Sequence, residues 1–324
     1  MKYTVAIIGL GNIGMGYDQN LSERDYVLSH ARAFHIHSGF QLIAGADPIE
    51  EKQEIFLKTY KAKVYPNAQE LVRVEKPDVI VIANSSEDRF VTIQTILSYC
   101  KPLAILCEKP LGIDQEFSQT ALDISQEKLV PLYVNFIRRA DPGIQEVKRR
   151  IAHHIIKPPY KVIVWYSKGI LHNGSHFIDL LTYWFGTTLS FSIIDRGEVL
   201  SKHDAEPDVR FQFEQASALF CAAREDNFSH YTVEIIAANG RLRLEKDGTI
   251  YWQAAVEHPT LPGYRQLQNL PETIPNSMSH YQLNIAGELF KALTGVENSL
   301  CTGEQALKTQ KLIGELISKI DDNR

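Results

Sequence analysis

The chain has 324 residues, 44% hydrophobic and 23% charged, which is the make-up of a soluble globular protein large enough for two cores. Its formal charge is −5, and Lys and Arg are scattered rather than gathered into a stripe, which argues against nucleic acid as a partner. The opening MKYTVAIIGLGNIG lacks the pattern of a cleavable leader, and the apolar runs fall far short of the roughly 20 residues of a membrane span, so a cytoplasmic protein is expected. Cys100, Cys107, Cys221 and Cys301 show no CxxC spacing and read as structural thiols in a reducing compartment.

From Tyr3 to about Phe136, short apolar runs (TVAIIG, QLIAGAD, DVIVIAN, LAILCE, PLYVNF) alternate with amphipathic segments at 51–60, 87–99 and 114–127. Continuous Val/Ile/Leu runs suit strands buried on both faces with crossover helices between them, which predicts a Rossmann domain with a doubly wound parallel sheet. A basic helix over about 143–154 and the Pro158-Pro159 pair then give way to alternating runs such as KVIVWY, VRFQF and TVEIIAA. These predict an α+β domain with a mostly antiparallel open sheet. Asn239-Gly240 and Asp247-Gly248 stand where hairpin turns are expected, and two helices, over 281–293 and 302–320, close the chain. The expected division is 1–125 for dinucleotide binding and 126–324 for substrate binding and assembly.

Gly9-Leu10-Gly11-Asn12-Ile13-Gly14 follows the first strand directly. Glycines there let backbone NH groups at the start of a helix meet a pyrophosphate, so Gly9, Gly11, Asn12, Ile13 and Gly14 are candidate cofactor contacts. Asp47 ends the second strand, where a carboxylate accepts ribose hydroxyls and repels a 2′-phosphate, favouring NAD over NADP. Asp47 can equally cap the next helix, and Lys52 offsets part of the repulsion. It lies well beyond the about 20 residues usual after such a fingerprint. The excess is a polar insertion at 16–29 that loops out over the cofactor cleft, read either as a substrate-side lid or as a plain surface loop.

Cys107-Glu108-Lys109-Pro110 ends the fifth strand, at the sheet edge where ligands bind, and Gly174-Ser175-His176-Phe177-Ile178-Asp179 opens a helix whose first turn presents His176. The glycine fingerprint, Asp47, Glu108-Lys109-Pro110, Asn135-x-x-Arg138-Arg139 and the Gly174–Asp179 motif, in this order, resemble the Gfo/Idh/MocA (glucose-fructose oxidoreductase/inositol dehydrogenase) family over nearly the full length. The resemblance implies reversible oxidation of a secondary alcohol with NAD, and Lys109 and His176 as the catalytic pair. It places Asn84, Ser85, Glu108 and Lys109 on the cofactor side, and Asn135, Arg139 and Asp179 on the substrate side. An imidazole, with a pKa near 6.5, suits a base at neutral pH, while Lys109 would stabilise the alkoxide; the reverse assignment stays open.

Three positions depart from the family's pattern. His172 stands where relatives often carry Asp, Asn84-Ser85-Ser86 replaces a usual Thr-Pro-Asn, and Arg89 replaces a common His. The stretch YSKGILHNGSHFIDLL, with Lys168 and His172 as further substrate-side candidates, resembles nucleotide-sugar 3-dehydrogenases of surface-polysaccharide or lipid A pathways, with UDP-N-acetylglucosamine as the implied substrate. Inositol or free-sugar dehydrogenation, an NAD-dependent glycosidase and a non-catalytic NAD sensor are the alternatives. No metal site is expected, since His172 and His176 lack a third ligand. The resemblance and the uncovered sheet face together imply a homodimer or homotetramer.

Overall fold

The computed structural model describes residues 2–112 and 114–321. It divides into two compact units, Met1–Ala140 with Ser279–Lys308 and Asp141–Met278 with Thr309–Arg324. The first unit opens with β1 (Tyr3–Ile8), a short π-helical turn at Asn12–Gly16 and α1 (His30–Ile36). There follow β2 (Phe40–Ala46), α2 (Glu50–Tyr60), β3 (Lys63–Tyr65), α3 (Ala68–Val74), β4 (Val79–Ile82), α4 (Arg89–Tyr99), β5 (Ala104–Cys107), α5 (Gln115–Glu127) and β6 (Leu132–Val134). These strands pair in parallel in the order β6-β5-β4-β1-β2-β3. The direction of winding reverses between β1 and β4, as the alternating apolar runs predict.

The composition of these strands explains the double winding. Successive side chains of a strand point to opposite faces. Val5, Ile7, Val79, Val81 and Leu106 therefore enter one core with Phe34 of α1 and Phe56 of α2. Ala6, Ile8, Ile80, Ile82 and Ile105 enter the other with Leu71 of α3 and Ile93 and Ile96 of α4. Helix starts are set locally: the Ser29, Asn67 and Asp114 side chains each accept a backbone NH at the first turns of α1, α3 and α5.

The second unit begins at Asp141, whose carboxylate accepts Gly143 N and Ile144 N and so caps α6 (Pro142–Ala152), with Pro142 in the first turn where its missing NH costs nothing. Its elements continue with β7 (Tyr160–Tyr166), α7 (Ser175–Phe185), β8 (Thr188–Asp195), β9 (Val199–Ser201) and β10 (Asp204–Ala205). Then come β11 (Asp208–Phe213), β12 (Ala216–Ala222), β13 (Thr232–Ala237), β14 (Gly240–Leu244), β15 (Ile250–Glu257), β16 (Arg265–Leu267) and β17 (Glu272–Ile274). The sheet runs β16-β15-β14-β13-β7-β12-β11-β8 and is antiparallel except where β12 joins β7. Tyr160, Val162, Val164 and Tyr166 face the core, while Ile163 and Trp165 stay 41% and 44% exposed on the other face. The turn at Asn239-Gly240 is shifted from expectation: Gly240 already belongs to β14, opposite Ala237. It is needed for close approach, because a Cβ there would lie 2.4 Å from the Gln253 carbonyl oxygen.

The chain closes with α8 (Tyr281–Leu293), β18 (Cys301–Thr302) and α9 (Gly303–Asp321). Helix α8 lays Ile285, Ala286 and Leu289 into the first unit's core, and β18 adds an antiparallel edge beside β6. A boundary at 125/126 would cut α5 and detach β6 from β5, to which it is hydrogen-bonded. Only packing assigns the distant segment Ser279–Lys308 to the first unit. Among the described residues, no helix is long and apolar enough to cross a membrane.

On α6, Glu146 takes Arg149 at 2.7 Å and Arg150 at 2.7 Å, and Arg150 also reaches Glu272 at 2.6 Å. The hydrogen bond from Arg149 leads the causes that hold the Glu146 carboxyl at about 2, below its ordinary range. A depressed folded-state pKa gives stability that is present above the unfolded value of about 4.3 and is lost as pH falls below it. Glu146→Gln should therefore lower the Tm at pH 7, and the difference from the parent should shrink in melts as pH falls from about 4.5 toward 2.

Candidate functional site

The carboxyl edge of the first unit's sheet gathers the residues that the sequence singles out there. Gly9 and Gly14 are fixed by crowding: a Cβ on Gly9 would lie 2.5 Å from Asn84 N, and one on Gly14 would lie 2.0 Å from the Gly9 carbonyl oxygen. Gly11 differs, since a Cβ there would meet nothing within 4 Å. Its missing side chain thus serves the space above the turn, which is what a backbone that must approach a pyrophosphate requires. Asn12 is exposed, and Ile13 packs against the core behind the turn.

Asp47 braces this turn. Its Oδ2 accepts Leu10 N at 2.8 Å, its Oδ1 accepts Ile49 N at 3.0 Å, and Lys52 Nζ stands 3.5 Å away. A carboxylate has about four lone-pair sites, so capacity for ribose hydroxyls remains. A cleft of about 400 Å³ is lined by Gly9, Gly11, Asp47, Lys52, Asn84 and Ser85 among others. Asn84 Nδ2 donates to Thr92 Oγ1 at 2.8 Å, and Ser85 Oγ donates to Asp88 Oδ2 at 2.6 Å, which shapes the loop after β4. Open space over Gly11 beside a carboxylate fits the dinucleotide: the glycine turn would hold its phosphates and Asp47 its ribose.

Lys109 follows β5 on the same edge, and both of its neighbours in the chain are tied down. Arg89, buried on α4, donates through Nη1 to the Pro110 carbonyl and through Nη2 to the Asn84 carbonyl at 3.1 Å. The departure at Arg89 thus joins the loops after β4 and β5. Glu108 is 8% exposed, and its Oε1 accepts His30 Nε2 at 2.8 Å and Asn135 Nδ2 at 2.6 Å. Burial pushes the Glu108 carboxyl up, but the His30 and Asn135 bonds and the Arg89 charge outweigh it and hold it below the ordinary range. Asn135 also reaches Gln282 Oε1 at 3.3 Å, and Arg139 Nη1 donates to Gln305 Oε1 at 2.6 Å. Glu108, Asn135 and Arg139, expected on the cofactor or substrate side, thus all bond to groups within the first unit. Burial pushes the Cys107 thiol up to about 12, in keeping with a structural role.

The sequence reading missed His30, Gln282, Asp18 and Arg32. Asp18 is fully buried inside the insertion, accepting Leu28 N at 2.6 Å, Ser29 N at 2.9 Å and Ser29 Oγ at 2.6 Å. Arg32 turns back from α1 to the carbonyls of Asp18, Leu21 and Tyr26. A polar run broken by hydrophobic Val27 and ending in Ser29 at a helix start was the available signal.

In the second unit, Lys168 precedes a π-helical turn at Gly169–Gly174, and α7 starts at Ser175. The turn carries His172, whose backbone NH donates to Asp204 Oδ2 at 2.9 Å, while Leu171 N donates to Oδ1 at 2.8 Å. Lys168 Nζ lies 3.3 Å from Glu225. His176 stands in the first turn of α7, partly exposed, and Asp179 is 1% exposed one turn on. Gly174 holds the cap position of α7. Among the described residues, no group of His, Cys, Asp and Glu is placed to hold a metal ion.

A doubly wound sheet with an open glycine turn and a strand-end Asp is the arrangement of a dinucleotide-binding domain. Residues 3–136 match the GFO_IDH_MocA model, an oxidoreductase family with an NAD-binding Rossmann fold. A Rhizobium meliloti rhizopine catabolism protein MocA is 26% identical over 161 residues, covering 50% of this chain and 46% of that protein. Inositol 2-dehydrogenase of Rubrobacter xylanophilus is 26% identical over 176 residues, covering 53% and 46%. The chain thus spans about half the length of these curated relatives. UDP-N-acetylglucosamine 3-dehydrogenase GnnA from Acidithiobacillus ferrooxidans has the same fold, with a TM-score of 0.74 at 14% identity, covering 98% of this chain and 97% of that one.

The two crowded glycines and the open one separate folding from binding. Gly11→Ala should leave the Tm within about 2 °C and raise the NAD Kd at least about tenfold, because a methyl group there occupies the phosphate approach and little else. Gly14→Ala should lower both the Tm and the affinity. Calorimetric melts and NAD titrations read the two effects apart.

Proposed function

We propose that the protein is an NAD-dependent dehydrogenase that oxidises a secondary alcohol of a sugar, polyol or nucleotide sugar, reversibly. The observation that carries this reading is the placement of Lys109 at the carboxyl edge of the same sheet as the open glycine turn, with both neighbouring residues fixed. NAD held over the glycine turn and Asp47 would supply the acceptor for the hydride of the alcohol carbon. The protein must handle the hydroxyl proton and the charge left on oxygen. An ammonium on Lys109 stabilises a developing alkoxide as a hydrogen-bond donor, and His176 accepts the proton. Asp47 favours NAD over NADP.

Within this class, a nucleotide sugar oxidised at C3, such as UDP-N-acetylglucosamine, is the reading we favour. The stretch Lys168–Asp179 and the fold shared with GnnA support it. The inositol 2-dehydrogenase relative supports the second reading, a cyclic polyol substrate. A homodimer or homotetramer built on the second unit's exposed sheet face, where Ile163, Trp165 and Ile236 lie, belongs to the same proposal.

The test is NADH formation at 340 nm with UDP-N-acetylglucosamine, myo-inositol and free sugars, each with NAD and NADP. Turnover with one of them and NAD is expected, and Lys109→Ala should lower kcat by about 10²–10⁴-fold with the NAD Kd unchanged. Tight NAD binding with no turnover across the panel would convert the reading to a cofactor-binding sensor. Unchanged kcat in Lys109→Ala would remove Lys109 from the mechanism.

A further inference from the structure

The insertion at 16–29 lies on the same network that holds Glu108, the residue before Lys109. His30, Glu108, Asn135 and Gln282 are all at least nine-tenths buried, and they come from α1, the end of β5, the segment after β6, and α8. The insertion fixes two of the four. From inside it, Asp18 accepts Ser29 N and Ser29 Oγ, holding the residue that precedes His30. Val27 N donates to the Ser279 carbonyl at 2.9 Å, and Gln282 N donates to the Val27 carbonyl at 3.2 Å, which ties the insertion to the start of the helix that carries Gln282. The backbone of the corner is equally constrained: Glu108 N donates to the Ile82 carbonyl at 2.9 Å, and Asn135 N to the Cys107 carbonyl at 2.8 Å.

His30, Glu108, Asn135 and Gln282 are joined by side-chain hydrogen bonds of 2.6–3.3 Å. What such a network supplies is direction, since a carboxylate gripped from two sides allows its own residue little rotation. A lid would need an insertion that moves free of the core, whereas Asp18 and Val27 are fully buried.

We propose that the 16–29 insertion is a strut that seats His30 and Gln282 around Glu108, and that Glu108, so held, is a positioning residue that orients Lys109 for the reaction. The proposal rests on the reading of Lys109 as a catalytic residue. Glu108 and His30 act through Lys109 rather than by touching cofactor or substrate. Asp18 acts one step further back, through Ser29 and His30.

The test compares Glu108→Gln, His30→Leu, His30→Gln and Asp18→Asn with the parent, measuring Tm, NAD Kd, and kcat and KM for whichever of UDP-N-acetylglucosamine and myo-inositol forms NADH. Expected are a kcat at least tenfold lower in Glu108→Gln and His30→Leu, with KM and NAD Kd within threefold, and a Tm lowered more in His30→Leu, which strips a partner from the buried carboxylate, than in Glu108→Gln. His30→Gln, which keeps a donor toward Glu108, should recover kcat to within threefold of the parent, and Asp18→Asn should lose kcat in the same direction. If neither sugar is turned over, the ¹³C-dimethyl resonance of Lys109 after reductive methylation, assigned by its loss in Lys109→Arg, replaces kcat. NAD should shift it in the parent and His30→Gln but not in Glu108→Gln or His30→Leu.

A kcat, or an NAD-induced shift, in Glu108→Gln and His30→Leu that matches the parent overturns the proposal. So does a tenfold weaker NAD Kd at unchanged kcat, which would make Glu108 a cofactor ligand, and so does a Tm collapse in both variants that His30→Gln shares, which would make the network structural. Loss of activity in Lys109→Ala alongside full activity in Glu108→Gln removes only this inference. Full activity in Lys109→Ala removes the underlying reading.

Discussion

At the head of the first unit the backbone passes itself with no room for a single extra carbon. Gly14 stands against the Gly9 carbonyl, and Gly9 against the peptide joining Ala83 to Asn84. This contact brings the loop after β1 and the loop after β4 together, on the two strands between which the winding reverses. The cleft beside them, the bracing of Leu10 by Asp47 and the attachment of Asn84 to Arg89 all presuppose it. A side chain on either glycine would push the two loops apart and open the sheet edge. Gly11 is exempt from this crowding, which separates the residues that build the cradle from the one that leaves it open.

Around that edge the protein buries charge and spends hydrogen bonds to hold it. Asp18 takes three donors within the insertion, Glu108 takes two from other elements, and Arg89 serves two carbonyls. Burying an ion without partners is far more expensive than pairing it, so each of these groups fixes the segments that supply its partners. The result is a corner at Glu108-Lys109-Pro110 gripped on both sides of the lysine. The second unit uses similar means at its own turn, where the Asp204 carboxylate gathers the NH groups of Leu171 and His172.

Much of the fold was legible because apolar period and turn chemistry are local. The runs TVAIIG, DVIVIAN and LAILCE have no polar face to expose, and they became β1, β4 and β5, sandwiched between two cores. The helix over 281–293 matches α8, and the candidates Asp47, Asn84, Ser85 and Lys109 fall on one sheet edge, since strand ends and the glycine motif fix them along the chain. The return of Ser279–Lys308 to the first unit was not legible, nor was the parallel seat of β12 beside β7. Both depend on which apolar face finds which partner across long stretches of sequence, and nothing local encodes that choice.

The site divides along the same line. The sequence by itself determined the glycine turn, the strand-end Asp47 and the Glu108-Lys109-Pro110 corner, because each is a contiguous motif with its own backbone requirement. The tertiary structure decided that Glu108 faces His30 and Asn135, that Arg89 bolts two loops together, and that the polar insertion at 16–29 folds inward upon Asp18. The physical reason is that a buried polar side chain is defined by the partners that satisfy it. Those partners lie on strands and helices brought together only when the cores close.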